Sequence, residues 1–301
     1  MEPAWIKEGH PPKNSRLVVS VSGGKDSVAV CLHLRDLGYS SSDFDRVFLD
    51  TGWEDAASYE YLDFLESKIG KIDRINWSVK LSPEREEIAE KYEKRLGHRS
   101  AMIREILKHL TFSSGKVRWC TRKLKMEPIK SYLTDCEVEP INVVGIRSQE
   151  SLTRSQMTEH EWNDALDCWT WRPIINWSLD DVIAQHQRHG LKPHPHYFQG
   201  YSRVGCHPCI FARKKEIANL AKSDPERIEL IRNIEQDVSQ LAGKERTFFK
   251  ARDKSGSWNI DRVVSWSQTT RGGRQFELFS PPERDSGCVR WGMCDLGSGK
   301  K

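Results

Sequence analysis

No apolar stretch in this 301-residue chain approaches the ~18 residues of a membrane-spanning helix. Neither a transmembrane protein nor a membrane partner is expected. The first fifteen residues carry Lys7, His10 and the Pro11-Pro12 pair with no apolar segment behind them, so they do not read as a secretory leader. The expected compartment is the cytoplasm. There is no internal repeat, which sets aside solenoids and propellers. No single charge dominates either, the formal balance being +4. A disulfide framework is not expected: eight cysteines in a chain of this size without a leader point to metal or reactive thiols.

What is present is organised around Ser22-Gly23-Gly24-Lys25-Asp26-Ser27. It follows the apolar run Leu17-Val18-Val19-Ser20-Val21 and precedes a helical pattern over 28–37. A buried strand, a glycine turn that lets backbone close on a ligand, and a helix start whose N–H groups face that turn make an anion cradle. The Walker spacing, Gly-x-x-x-x-Gly-Lys-Ser/Thr, is absent. Further strands are expected at 46–50, 72–79 and 141–146, and helices at 55–69, 83–96, 100–110, from about 120 to 133, 178–190, 210–222 and 225–241. Strands alternating with helices predict an α/β fold, a doubly wound parallel sheet with the ligand at the carboxyl ends of its strands. Asp50-Thr51-Gly52 falls at one such end. The expected organisation is a nucleotide-binding domain over 1–210 and a helical, irregular, cysteine-containing extension over 211–301.

The intact loop resembles that of the PP-loop ATP pyrophosphatases. Four further segments extend the likeness: Phe48-Leu49-Asp50-Thr51-Gly52; Arg118-Trp119-Cys120-Thr121-Arg122-Lys123-Leu124-Lys125; Gly145-Ile146-Arg147-Ser148-Gln149-Glu150-Ser151; and His194-Pro195-His196-Tyr197 followed by Gly200-Tyr201-Ser202-Arg203-Val204-Gly205-Cys206-His207-Pro208-Cys209. In this order they resemble the phosphoadenosine phosphosulfate reductase family over about 16–210, and especially its ATP-pyrophosphatase branch, with the DNA phosphorothioation enzymes and phage-type members. The resemblance implies an adenine nucleotide alpha hydrolase-like, Rossmann-like fold. It also implies ATP with Mg²⁺, adenylation of an acceptor in sulfur transfer, and a sulfur donor protein such as a cysteine desulfurase. Cofactor contacts are then expected from Ser22, Gly23, Gly24, Lys25, Asp26, Ser27, Asp50, Thr51, Gly52, Gly145 and Arg147, with Asp26 or Asp50 on the metal and Arg147 on the α-phosphate. Lys25, Asp26, Cys120 and Arg147 are the expected catalytic residues.

Two departures separate the branches. The loops of the reductases typically lack the intact Gly-Gly-x-Asp-Ser pattern that this chain keeps, and the thioredoxin-dependent ones end in a Glu-Cys-Gly-Leu-His-type segment that this chain does not have. A reductase releasing sulfite therefore stands second, and a metal-stapled nucleic-acid-binding regulator without activity third.

Cys206-x-x-Cys209 is a two-thiolate bite for zinc or an iron–sulfur cluster, and Cys288 and Cys294 offer a second pair. The resemblance adds Cys120, 86 residues before Cys206, as a four-iron four-sulfur ligand, although Trp119 replaces the family's adjoining cysteine. Five thiols thus compete for four positions, and Cys120 as the fifth would be the reactive one. Cys31, Cys136 and Cys168 are expected to pack, His194 and His196 to shape the loop over the nucleotide, and His207 to be a spacer. The run Arg118, Arg122, Lys123, Lys125 is either a solvated face or a phosphate contact. Residues 242–301 hold 12 Lys/Arg against 7 Asp/Glu, a bias suited to a nucleic-acid acceptor.

Overall fold

Leu17, Val18 and Val19 of β1 (Arg16–Ser20) are all fully buried, as a strand covered on both faces requires. Successive side chains point to opposite faces. Accordingly Leu17 and Val19 join one core with α2 (Lys25–Asp36) and α3 (Ala56–Ile69), while Val18 joins Val47, Ile129 and Leu133 in another. The computed structural model describes residues 3, 5–12, 14–254 and 256–270. Cys288 and Cys294 lie outside the described residues.

The main sheet has six strands in the order β3-β2-β1-β4-β6-β5, with β2 at Phe44–Asp50, β3 at Asp73–Asn76, β4 at Pro140–Val143, β5 at His160–Asn163 and β6 at Cys168–Trp171. All neighbours are parallel except β5 against β6. The fold is α/β, a mostly parallel, Rossmann-like sheet. Strand order reverses between β1 and β4, the place where such sheets open a ligand crevice.

A short α1 (Trp5–Glu8) precedes β1. Asp55 caps α3 through the Ala57 amide, and Gly70 ends it with φ 99°. Between β3 and β4 come α4 (Pro83–Leu96), α5 (Ala101–His109), and α6 (Trp119–Thr121) running through a π-turn at Arg122–Met126 into α7 (Glu127–Thr134). A capping box opens α8 (Leu179–Arg188), where Ser178 and Asp181 exchange hydrogen bonds with each other's amides.

Then follow α9 (Lys214–Ser223), α10 (Pro225–Ala242), a small β7–β8 hairpin (Arg252–Asp253, Gly256–Ser257) and α11 (Ile260–Ser267). Ile217, Ile231, Ile234, Val238 and Val263 of these helices share a core with Tyr92 of α4 and Ile103 and Ile106 of α5. No helix among the described residues is long and apolar enough to cross a membrane.

The structure corrects several expectations. The strands expected at 72–79 and 141–146 stop at Asn76 and Val143. The β5–β6 hairpin and α11 have no counterpart in the sequence reading. Its tryptophans build structure, Trp171 lying buried and stacked on His160.

Glu235 on α10 ties the C-terminal pieces down, accepting from the Phe248 amide at 2.7 Å and the Ile260 amide at 2.9 Å. Burial pushes its carboxyl up to about 7, against the pull of those amides. Glu235→Ala strands both buried donors and is expected to cost about 3 kcal/mol in urea denaturation. A carboxyl raised in the folded state stabilises most below its unfolded value of 4.5 and loses that contribution as pH rises through about 7. The wild type is therefore expected to shed stability across that window, and the variant to lack this slope.

Candidate active site

The loop Ser22 to Ser27 leaves the carboxyl end of β1 and turns at Gly23, whose φ of 71° suits glycine. It is braced internally: Ser22 N donates to Ser27 Oγ (3.1 Å), Gly24 N to Ser22 Oγ (3.3 Å), and Ser27 Oγ to the Gly24 carbonyl (3.0 Å). Tyr197, from the short turn Pro195–Gln199, covers it. Its hydroxyl accepts from the Lys25 amide at 3.1 Å, and the Lys25 ammonium sits 5.5 Å from its ring centre. From below, buried His186 of α8 donates from Nε2 to the Lys25 carbonyl at 2.8 Å.

Asp26 divides its carboxylate between two cations, Oδ2 on Lys25 Nζ at 2.7 Å and Oδ1 on Arg147 Nε at 2.6 Å. Burial alone would raise its pKa, but Lys25 and Arg147 hold it below the usual carboxylate range. Arg147 is buried and fixed through its own amide, which donates to Glu150 at 2.9 Å. A Cβ on Gly145 would stand 2.7 Å from the Asp26 carbonyl carbon and oxygen, so glycine is what lets the β4 end press against the start of α2. One helix start, two cations and one counter-charge thus occupy the switch point, a donor set that fits a polyphosphate.

The turn after β2 is fixed by contacts of its own. Asp50 Oδ1 accepts from the Gly52 amide and the Tyr59 hydroxyl, both at 2.8 Å. Thr51 is fully buried and donates to Glu54 at 2.8 Å. Gly52 is demanded by packing, since a Cβ there would lie 2.5 Å from the Arg99 carbonyl. These three residues therefore shape a turn, and that turn docks on the thiol loop. Trp53 Nε1 donates to the Pro208 carbonyl (3.1 Å), the His207 amide donates to the Trp53 carbonyl (2.9 Å), and Thr51 Oγ1 lies 3.9 Å from Cys206 Sγ.

Cys120, Cys206 and Cys209 share one cation, Lys125. The Cys206 sulfur raises the Lys125 pKa against the cost of leaving water, with Glu54, Cys209 and Cys120 adding to it. Burial pushes the Cys206 thiol up to about 12 despite Lys125, and pushes the Glu54 carboxyl up as well. Arg203 donates to Cys209 Sγ at 2.6 Å. The three sulfurs do not all come within 4.8 Å of one another. Three thiols gathered in one neighbourhood are soft donors of the kind that zinc and iron–sulfur clusters both take. Within the basic run, Lys123 is paired with Glu127 and Arg118 lies over the Phe211 ring, leaving Lys125 as the residue turned to the sulfurs.

Of the expected site residues, Ser22 to Ser27, Gly145 and Arg147 come together as one unit, and Cys120, Cys206 and Cys209 as a second beside it. His207 is no spacer, because its ring meets Asp55. His194 caps the turn over Lys25, its Nδ1 accepting from the His196 amide at 3.1 Å, while its Nε2 meets Ser58 and burial pushes it down to about 3. The sequence reading gave no role to Tyr197, His186, Glu54 or Asp55. Tyr197 carried a signal, standing in the quoted His-Pro-x-Tyr segment; a lone histidine inside a helix carried none.

Residues 16–212 match the family model of the phosphoadenosine phosphosulfate reductase domain. An uncharacterized 37.8 kDa protein of Escherichia phage 186 is 33% identical over an alignment covering 92% of this chain and 96% of that protein. The adenosine 5'-phosphosulfate reductase of Allochromatium vinosum is 33% identical over 93 residues, 31% of this chain and 35% of the reductase. Among solved structures, the phosphoadenylyl-sulfate reductase of Candida auris in its phosphate complex aligns with a TM-score of 0.47 at 16% identity, covering 68% of this chain and 86% of that one. The chain therefore spans nearly all of the phage protein and about a third of the Allochromatium reductase.

Proposed function

The chain belongs to the phosphoadenosine phosphosulfate reductase domain family, and from that membership we propose that it is an ATP pyrophosphatase that adenylates an acceptor for sulfur transfer. The observation that carries this reading is the Lys25–Asp26–Arg147 ion-pair unit on an intact glycine loop. An acceptor oxygen attacks the α-phosphorus, the bond from that phosphorus to the bridging oxygen breaks, and pyrophosphate leaves with the electron pair. Negative charge grows on the leaving group, where the start of α2 and Lys25 stand, while Arg147 meets the α-phosphate. Mg²⁺ would share the pyrophosphate charge, with Asp26 as its ligand once one of its present cations turns to phosphate. A persulfide on a donor protein such as a cysteine desulfurase then displaces AMP through its outer sulfur, and a second thiolate attacking the inner sulfur releases the thio-product and leaves a disulfide.

Cys120, Cys206 and Cys209 would hold an iron–sulfur cluster, which when bound supplies a soft centre for sulfur beside the nucleotide. The acceptor we favour is nucleic acid, on the basic bias of 242–301, and within that class a DNA phosphate, as in phosphorothioation.

Product analysis with ATP, Mg²⁺ and candidate nucleic acids tests the reading. Pyrophosphate with AMP or an adenylated acceptor is expected. ADP and orthophosphate would overturn it. The likeness to the Allochromatium reductase favours a second reading, which sulfite release from adenylyl or phosphoadenylyl sulfate would establish in place of the first.

A further inference from the structure

The geometry points to a divalent-cation site of the zinc class, formed by Asp55, His196 and His207 and separate from the three thiols. The ligands come from three places in the chain: the cap of α3, the turn that carries Tyr197, and the thiol loop. Asp55 Oδ2 lies 3.3 Å from His196 Nε2 and 3.4 Å from His207 Nε2. One ligand atom from each of the three residues falls within 4.8 Å of the others.

Those separations lie at the long end of the N–H···O range, and His196 uses its one to hold the Asp55 carboxyl low. They match the edge of a tetrahedron whose ligands stand ~2.1 Å from a zinc ion, about 3.4 Å, better than the ~3.0 Å edge of an octahedron of the same radius. Two imidazoles and one carboxylate also form a zinc-type donor set; magnesium and calcium take oxygen, and copper(I) takes sulfur.

The surroundings hold the ligands in place. Asp55 Oδ1 is spent on the Ala57 amide at 2.7 Å, so Oδ2 alone is offered to the imidazoles. The His196 amide donates to His194 Nδ1 at 3.1 Å, while His194 Nε2 meets Ser58 Oγ at 3.2 Å. The His207 amide is fixed on the Trp53 carbonyl. Both imidazoles are buried and Asp55 is the one partly open to solvent, which gives a cation its way in. The Tyr201 ring closes the other side, 4.8 Å from His196 and 5.4 Å from His207. Arg227 opposes a cation here, but Asp55, Glu54 and Glu216 outnumber it. A bound ion would fasten the thiol loop to the start of α3.

The test is Co²⁺ titration of the full chain, followed by absorption. Thiolate-bound cobalt shows intense sulfur-to-metal charge transfer, whereas a two-histidine carboxylate site shows tetrahedral ligand-field bands without it. Wild-type protein is expected to show a component of the second kind. Asp55→Asn keeps a capping side chain and is expected to weaken that component about a hundredfold or more while sparing the thiolate bands. His196→Gln is expected to do the same. Charge transfer accompanying all of the bound cobalt in the wild type would overturn the site even if neither variant folds. So would an unchanged affinity of the non-thiolate component in the folded variants.

Discussion

Gly145→Ala is expected to lower ATP-dependent pyrophosphate release by about a hundredfold or more. The added methyl would stand 2.7 Å from the Asp26 carbonyl and 2.8 Å from Ser27 Cα, both backbone and neither able to rotate away. The first turn of α2 must shift, and with it the amides and the Lys25–Asp26 pair. A displacement near 1 Å in a site that works by positioning suffices for that loss. Gly97→Ala is the matched control, a strained glycine with φ 77° and nothing within 4 Å of its added carbon. It is expected to lose some stability and keep its turnover. Pyrophosphate release within twofold of wild type in Gly145→Ala would remove the switch point from the mechanism.

Asp26→Asn follows in size. Lys25 and Arg147 are largely buried around Asp26, and removing its charge leaves two cations facing each other. Breaking a buried pair from one side costs about 3 kcal/mol, and turnover is expected to fall at least tenfold as both cations leave their positions. The acid limb gives a second reading. A carboxyl depressed in the folded state contributes stability above its unfolded value, here 3.8, and loses it as pH falls through the folded pKa below that. Wild type is therefore expected to lose stability steeply below pH ~4, and Asp26→Asn to begin lower and lose less there. Denaturation curves across that range, with turnover of the folded variant, check both parts.

The parallel sheet was legible because buried strands such as β1 are continuous apolar runs and because glycines punctuate the chain at strand ends. The extents of α3 and α8 were legible for a similarly local reason. The β5–β6 hairpin was not: its strands are four residues each and rich in tryptophan, a pattern that serves a sheet or a binding surface equally. Within the site, the cations and the glycine loop sit in contiguous motifs. Contacts made across the fold left no local trace. Nothing near Asp55 announces His207, and nothing near Trp53 announces that its indole turns to the Pro208 carbonyl. At Gly52 the pattern of glycines at strand ends has a second cause, since packing demands a glycine where the strand end closely approaches the start of α5.

The strap between the β2 turn and the thiol loop fixes when the site can exist. The Trp53 indole reaches the Pro208 carbonyl across 155 residues, the Lys25 amide reaches Tyr197 across 172, and Arg227 reaches the Glu54 carbonyl across 173. Contacts so distant along the chain close late, because the entropy of ordering the intervening segments is lost before they form. On a growing chain the glycine loop emerges 172 residues ahead of its tyrosine cover, and further still ahead of the Cys206–Cys209 pair. A fragment ending before Tyr197 would carry the loop sequence with neither its cover nor the Cys206–Cys209 pair, so the site is assembled by the last stage of folding.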